Sequence, residues 1–211
     1  MESNNTPRLR RPSQLRTQER VARAISAAEI LLIERGPEEV SIPDIAEASG
    51  VPRASLYQFF ANKYQLFAAI AEQHLSQVCE TVRQAAPAFV GMHWRDVAPV
   101  LVRAASSYYN QHPVAGILIL GWPVSRESYL AQEVTIENIG YEVRQIFKTL
   151  QPAITIPEDP DTATMLVEIA FGMMRFGYYR DGEISEAIME QAAHACVGYL
   201  KEILAPDQIA N

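Results

Sequence analysis

Side chains that can form hydrogen bonds with nucleic acid are concentrated in one short stretch of the chain. Arg53 has a guanidinium fork that can bond the O6 and N7 atoms of guanine, and Gln58 has an amide that can bond adenine or a phosphate. Ser55 and Tyr57 add hydroxyl groups, while the Ala54 methyl group can contact a thymine methyl. This combination favours recognition of bases in a major groove.

These residues follow a sequence pattern for two short helices joined by a tight turn. Ser41 with Asp44 three residues later resembles a capping box, so a second helix is expected to run from there to about Ser49. Gly50 can take a positive φ at the end of that helix. The chain is then predicted to start a third helix, from Arg53 to Phe59.

A first helix is predicted from Thr17 to Arg35, where apolar residues recur at spacings of three and four before Gly36 ends the pattern. Five later side chains can pack the two short helices against it: Ile45, Ala46, Val51, Leu56 and Phe60. Such packing leaves the hydrogen-bonding face of the third helix open to solvent. The pattern predicts a three-helix DNA-binding domain of the helix-turn-helix type.

The remainder of the chain also has helical patterning. A long amphipathic segment should run from Asn62 to about Ala86, and Pro87 should end it. Prolines divide the rest into helical segments, at approximately 94–111, 114–121, 125–150, 161–181 and 184–204. No alternating strand pattern competes with these segments, so the predicted fold class is all-α.

Composition limits the class of protein. The 211 residues are 48% hydrophobic and 20% charged, which is typical of a globular protein. The first residues contain no apolar segment of the kind a secretory signal needs, and no apolar run is long enough for a membrane span. The two cysteines, Cys79 and Cys196, lie far apart in the sequence and give no disulfide framework, which suits a protein in a reducing compartment. The expected location is cytoplasmic.

The charge is distributed unevenly. The net charge is −7, yet residues 1–67 carry nine Lys and Arg against eight Asp and Glu, while residues 68–211 carry nine against 17. The first 23 residues hold six arginines and two glutamates. DNA affinity depends on cations close to phosphates, so an acidic remainder is compatible with a basic arm. Residues 1–16 are therefore interpreted as a flexible basic arm, with a solubilising tail as the alternative.

The stretch from Gly36 to Phe67 resembles the TetR family of bacterial regulators. The resemblance rests on these residues: Ile45-Ala46, Ser49-Gly50-Val51, Leu56-Tyr57, Phe59-Phe60 and Lys63. It implies a helix-turn-helix domain over residues 17–67 and a helical domain over residues 68–211 that binds an effector and dimerises. It also implies that Tyr57 and Lys63 contact phosphates, and that Arg53 and Ser55 face DNA.

Two positions depart from the family pattern. Pro52 stands where the family often has Ser or Thr, and Phe59 where it often has His or Tyr, so each loses a polar contact. Arginines of the arm can compensate by reaching phosphates or the minor groove: Arg8, Arg10, Arg11 and Arg16. Ser41 is a further candidate DNA contact. Tyr57 as a packing residue and Lys63 as a solvated lysine remain alternatives.

The second domain contains many aromatic and methionine side chains, which suit either a core or an apolar pocket. The chosen ligand-binding candidates are Tyr108, Trp122, Phe171 and Met174. The last two helices carry apolar faces that can form a dimer interface or an intramolecular core, marked by Leu166, Ile169, Ala170, Met173, Gly177, Ile188, Ala192, Ala195, Tyr199 and Ile203.

These observations predict a homodimeric repressor that binds double-stranded operator DNA and is released by a small apolar effector. One alternative is a constitutive DNA-binding regulator or an activator without an effector; another is an enzyme or an interaction module independent of DNA. No catalytic motif, metal-ligand spacing or cofactor loop supports the enzyme alternative, so no catalytic residue, metal or cofactor is predicted.

Overall fold

A computed structural model describes the backbone of residues 12–121 and 126–204 and the side chains of residues 15–121 and 132–204. All regular secondary structure within these ranges is helical, which confirms the predicted all-α class. The chain forms two compact units that divide between Leu66 and Phe67. None of the helices in the described ranges has the length and hydropathy needed to cross a bilayer.

The first unit contains helices α1 (Pro12–Glu39), α2 (Ile42–Ser49), α3 (Arg53–Phe59) and the start of α4 (Lys63–Ala85). Helix α1 begins before the predicted start at Thr17. Gly36 has φ 75° and ψ 165°, so the helical geometry is broken there, as the sequence predicted, although a short turn continues to Glu39. The core of this unit is formed by small and aliphatic side chains: Ala24, Ala28, Leu32, Val40, Ile45, Val51 and Leu56.

The turn between α2 and α3 is determined by local hydrogen bonds. The predicted capping box is confirmed: the Asp44 backbone N–H donates to Ser41 Oγ at 3.4 Å, and the Ser41 backbone N–H donates to Asp44 Oδ2 at 3.0 Å. Gly50 ends α2 with φ 64° and ψ 19°, a conformation that a residue with a Cβ rarely adopts. The Val51 N–H then donates to Ser49 Oγ at 3.2 Å, which leads the chain into α3.

The second unit contains the rest of α4 and five further α-helices: α5 (Trp94–Gln111), α6 (Pro113–Ala115), α7 (Arg126–Thr149), α8 (Thr162–Asp181) and α9 (Glu186–Ile203). A 3₁₀ turn, Ala86–Phe89, follows α4. The α8 and α9 helices begin with side-chain caps from Asp161 and Ser185. The predicted helical segments therefore match the observed ones closely.

One predicted helix differs in type. Residues 114–121 are predicted to be helical, and after the short α6 the chain continues as a π-helix from Gly116 to Gly121. The Tyr178 ring lies against both glycines, and a Cβ added at either one would be 2.8 Å or 2.6 Å from a ring carbon. The Tyr179 hydroxyl also donates to the Gly121 carbonyl at 2.7 Å. Packing against α8 therefore stabilises a backbone form that the sequence pattern did not reveal.

Two polar anchors hold the connections of the second unit. Arg144 is buried in α7 and donates to the Ile156 and Pro157 carbonyls at 2.6 Å and 2.9 Å, and it forms an ion pair with Asp161. Asn110 forms two 2.9 Å hydrogen bonds with the backbone of Ile184, one in each direction. These hydrogen bonds satisfy backbone groups in loops, where no helical hydrogen bond is available to them.

A methyl group at Gly140 should destabilise the second unit. A Cβ at this position would lie 2.9 Å from both Cα and N of Thr164, so the backbones of α7 and α8 would have to separate. We expect Gly140→Ala to lower the free energy of unfolding by about 1–3 kcal/mol, as overpacking generally does. Thermal melts followed by circular dichroism measure this effect. The exposed neighbour Asn138→Ala is the control, and equal melting temperatures for the two variants would contradict the close packing.

Candidate functional site

Helix α3 presents its hydrogen-bonding residues on an exposed face. Leu56 is fully buried and anchors the helix, whereas Arg53, Ala54 and Gln58 are exposed and Tyr57 is 52% exposed. Ser55 is only partly exposed. The structure thus brings all five sequence-predicted residues of α3 onto one short helix, with a single aliphatic side chain holding it to the core.

The beginning of α3 has no side-chain cap. Pro52 precedes it with φ −56° and ψ 136°, and the Ser55 and Leu56 N–H groups donate to the Pro52 carbonyl at 2.9 Å and 3.2 Å. The other end is closed by the Phe60 N–H, which donates to the Leu56 carbonyl at 2.8 Å. The helix therefore depends on main-chain bonds and on the burial of Leu56 for its position.

Ser41 has an internal role in this structure. Its hydroxyl accepts from the Asp44 N–H and also donates to the Asp44 carboxylate. The hydrogen bond from the Ser41 side chain is the main reason that the pKa of Asp44 lies below its ordinary value, and the positive charges of Arg35 and Arg53 lower it further. The positive charge of Arg53 therefore lies close enough to the Asp44 carboxylate to attract it.

Lys63 ties the start of α4 to the end of α1. Its ammonium group donates to the Glu38 carbonyl at 2.8 Å and to the Pro37 carbonyl at 3.1 Å, and it lies 5.6 Å from the centre of the Tyr64 ring. An ammonium group has three donors, so one N–H remains available for a phosphate. The residue can therefore serve both a structural role and a phosphate contact.

We expect Lys63→Met to have two measurable effects. Loss of the two bonds to carbonyls should lower the stability of the first unit by about 0.5–1.5 kcal/mol. Loss of one phosphate contact should reduce the slope of log affinity against log salt by about one, equally on all DNA sequences. Lys148→Met, at an exposed lysine of the second unit, is the control. An unchanged salt slope would leave Lys63 only its intramolecular role.

The basic arm lies mostly beyond the described part of the chain. Arg8, Arg10 and Arg11 fall outside the described residues. Arg16 lies in α1 and its side chain is exposed. Its part in DNA binding therefore stays a prediction.

Polar residues at the start of α4 form a cap that was not predicted from the sequence. Asn62 Oδ1 accepts from the Gln65 N–H at 3.0 Å, while Gln65 Oε1 accepts from the Ala61 N–H at 2.9 Å. This reciprocal cap fixes the beginning of the helix, beside the exposed ring of Tyr64. The spacing of Asn62 and Gln65 was the signal that could have revealed it.

The second unit contains an apolar cavity of about 80 Å³. Helices α4, α5, α7, α8 and α9 all contribute to its walls. The predicted ligand residues Phe171 and Met174 line it, together with aliphatic side chains such as Val102 and Val143. The volume exceeds the space required for one water molecule several times over.

Tyr108 lies at a second, smaller cavity of about 30 Å³ rather than in the main one. Its hydroxyl is 2.8 Å from His74 Nδ1, and the centre of its ring lies 4.2 Å from that of His112, with the two ring planes tilted by 34°. Burial, and then the charge of His112, lower the pKa of His74. Trp122, the remaining predicted ligand residue, lies outside the described residues.

The dimer faces that the sequence suggested are partly buried within the protomer, and six of their ten residues stay partly exposed: Ile169, Ala170, Met173, Ala195, Tyr199 and Ile203. Leu166, Gly177, Ile188 and Ala192 are buried within the protomer, so these four belong to an intramolecular core. A different set of α8 residues faces outwards at helical spacing: Met165, Gly172, Phe176 and Tyr179. These four residues are called the α8 stripe below. Phe176 is 57% exposed, and the Arg180 guanidinium lies 5.6 Å from its ring centre.

A three-helix unit with an exposed polar third helix, joined to a larger helical unit with an apolar cavity, defines a two-domain helix-turn-helix protein. Residues 24–70 match the family model described as bacterial regulatory proteins, tetR family. A TetR-family transcriptional regulator from Streptomyces coelicolor has the same fold, with a TM-score of 0.69 at 21% identity over 88% of this chain and 99% of that one. Over residues 24–70 the chain is therefore similar to the tetR family, and over most of its length it shares the fold of that regulator.

Two further relatives are informative. The chain is 33% identical over 76 residues to the HTH-type transcriptional activator FasR of Mycolicibacterium smegmatis, a match that covers 36% of this chain and only 35% of that protein. RolR in complex with resorcinol shares the fold, with a TM-score of 0.65 at 18% identity over 89% of each chain.

Proposed function

We propose that this protein is a homodimeric transcriptional repressor that binds operator DNA through α3 and leaves it when a small apolar ligand occupies the second unit. The observation that carries the proposal is the outward face of α3, where the side chains of Arg53, Tyr57 and Gln58 are exposed to solvent. Such a face suits a recognition helix in a major groove, where base edges differ in their donors and acceptors. We expect the protein to act in the cytoplasm, where its DNA is.

The dimer is supported by the α8 stripe. Exposed aromatic and methionine side chains on one helix, with Gly172 between them, suit close approach of a second copy. Two copies of α3 would then enter successive major grooves about 34–36 Å apart. A ligand that favours another spacing would release the DNA, because it changes the balance between two states of the dimer.

Ligand binding is supported by the apolar cavity. Its lining suits a hydrocarbon group, and the related fold of RolR has been solved with resorcinol. A constitutive DNA-binding regulator would lack any ligand response, and ligand-dependent affinity distinguishes the two.

An activator is the second candidate, because the relative FasR is described as one. The two roles differ in the position of the operator and not in the chemistry of α3. A reporter fused to the target promoter separates them: deleting the gene should raise expression for a repressor and lower it for an activator.

The decisive experiment is a DNA titration. The DNA upstream of the protein's own gene should shift in a gel at protein concentrations that leave a scrambled duplex unbound. Quenching of Trp94, which is buried in the second unit, would report ligand binding in the same sample. Equal retention of both duplexes would argue against a specific regulator.

A further inference from the structure

The main apolar cavity of the second unit has walls that suit only one kind of chemical group. Among the described residues that line it, every side chain is a hydrocarbon except for the sulfur atoms of Met174 and Cys196. The Cys196 thiol donates to the Leu166 carbonyl at 3.7 Å, and burial raises its pKa to about 11, so it is uncharged at neutral pH. A polar ligand group would lose its hydrogen bonds to water there without replacement, so the cavity suits a hydrocarbon group.

The cavity is small as well as apolar. Its volume is about 80 Å³, whereas an apolar cavity that admits a benzene ring has about 150 Å³. At the roughly 30 Å³ that a water-sized group occupies in a liquid, the space holds about three methylene groups. A ring of six carbons therefore exceeds the space that the walls leave, while the end of an alkyl chain fits it.

The walls belong to the packed core. Phe147, Met174 and Leu200 are at most 2% exposed, and they come from three different helices, α7, α8 and α9. Protein interiors are close-packed, so enlarging the cavity for a ring would displace side chains that pack against several neighbours. Size as well as chemistry therefore restricts the ligand.

Alanines contribute to the walls of this space. Ala98 and Ala105 of α5 and Ala170 of α8 all line the cavity. Replacing an alanine by leucine adds three carbon atoms, which is close to the number that the cavity holds. Ala170→Leu would therefore fill the space that a ligand needs.

We propose that the effector enters the main cavity with the end of an alkyl chain, about three carbons long, and that any ring or polar group of the effector stays outside. This inference rests on the proposed function, in which the cavity is the effector site, and it narrows the apolar ligand to compounds with a free alkyl end. Recognition depends on buried hydrocarbon area, because the lining side chains consist of hydrocarbon and sulfur.

The test titrates straight-chain alcohols, from ethanol to 1-hexanol, and two ring compounds, cyclohexanol and phenol, into the full-length protein. The readout is the ¹³C methyl resonance of Met174, a lining residue, in protein labelled at methionine. Met174→Leu assigns that resonance. Met165, which is 43% exposed on the same helix and does not line the cavity, is the internal reference.

We expect affinity to rise about 4-fold with each carbon of the straight chain, as burial of one methylene group predicts, and to level off near the third or fourth carbon. Cyclohexanol has six carbons like 1-hexanol, but it should bind at least about 10-fold more weakly, because a ring must displace packed walls. Phenol should behave in the same way.

Cavity-filling variants locate the binding. Ala170→Leu should abolish the shift of the Met174 resonance with every alcohol, without lowering the melting temperature. Ala98→Val, a smaller change on α5, should weaken 1-butanol binding by about 4- to 16-fold, since one or two fewer carbons fit. Ala187→Leu is the matched control, because Ala187 is exposed on α9, and this variant should bind all probes like the wild type.

The outcomes separate the two proposals. Rings that bind as tightly as 1-hexanol would overturn the chain-end class and leave an apolar effector standing, and a rise in affinity that continues unchanged to 1-hexanol would overturn the size limit. Alcohol binding that Ala170→Leu and Ala98→Val both leave unchanged would overturn the assignment to this cavity. Absence of a Met174 shift with all probes, in a protein that still shifts its operator, would overturn both this inference and the apolar-effector part of the proposed function.

Discussion

Phe176→Glu should convert the proposed dimer into a monomer and lower operator affinity by roughly 100- to 10,000-fold, because binding at one half-site would no longer be linked to binding at the other. Phe176 belongs to the α8 stripe and is 57% exposed in the protomer, so glutamate is tolerated there without a partner. In a dimer the same carboxylate would be buried against an apolar surface, which costs several kcal/mol unless the charge is paired.

Sedimentation velocity measures the change in mass, and fluorescence anisotropy with the operator duplex measures the loss of affinity. Tyr141→Glu is the matched control, since Tyr141 is a 59% exposed aromatic residue on α7. A dimeric Phe176→Glu variant together with a monomeric Tyr141→Glu variant would place the interface on α7 and refute the α8 stripe. Ala192→Glu is unsuitable for this test because Ala192 is fully buried within the protomer.

Arg53→Ala should weaken binding to the specific operator by about 1–3 kcal/mol and relax the preference at one base pair in each half-site. The expected loss is roughly 5- to 150-fold in affinity. A guanidinium fork that bonds guanine O6 and N7 provides sequence discrimination, so affinity for a scrambled duplex should fall much less. Arg53 is exposed at the start of α3, and its removal leaves the buried Leu56 anchor intact.

Titrations of operator and scrambled duplex at several salt concentrations measure this difference. Arg35→Ala is the control, because Arg35 is also exposed in the first unit and also lowers the pKa of Asp44, yet it lies on α1. An equal loss on both duplexes for Arg53→Ala would identify Arg53 as a phosphate contact instead of a base reader.

The first unit could be predicted in detail because its signals are local. Ser41 and Asp44 lie three residues apart, so their reciprocal hydrogen bonds depend only on the conformation of that turn. The left-handed backbone conformation of Gly50 is also a local property, because it depends only on the absence of a Cβ at that residue. Leu56 and its neighbours follow the helical period, which determines the buried and exposed faces of a short helix.

Tertiary structure alone decided which surface each helical face of the second unit meets. A helical period identifies an apolar face, but core, cavity and partner subunit are equally apolar surroundings. Ala192 and Phe176 both suit a dimer interface by composition, yet packing buries the first within the protomer and leaves the second exposed. Phe171 lines the main cavity while Tyr108 reaches only the smaller one, a distinction that depends on side chains from several helices. Lys63 bonds carbonyls of Pro37 and Glu38, which are distant in the sequence, so no local pattern could have revealed that contact.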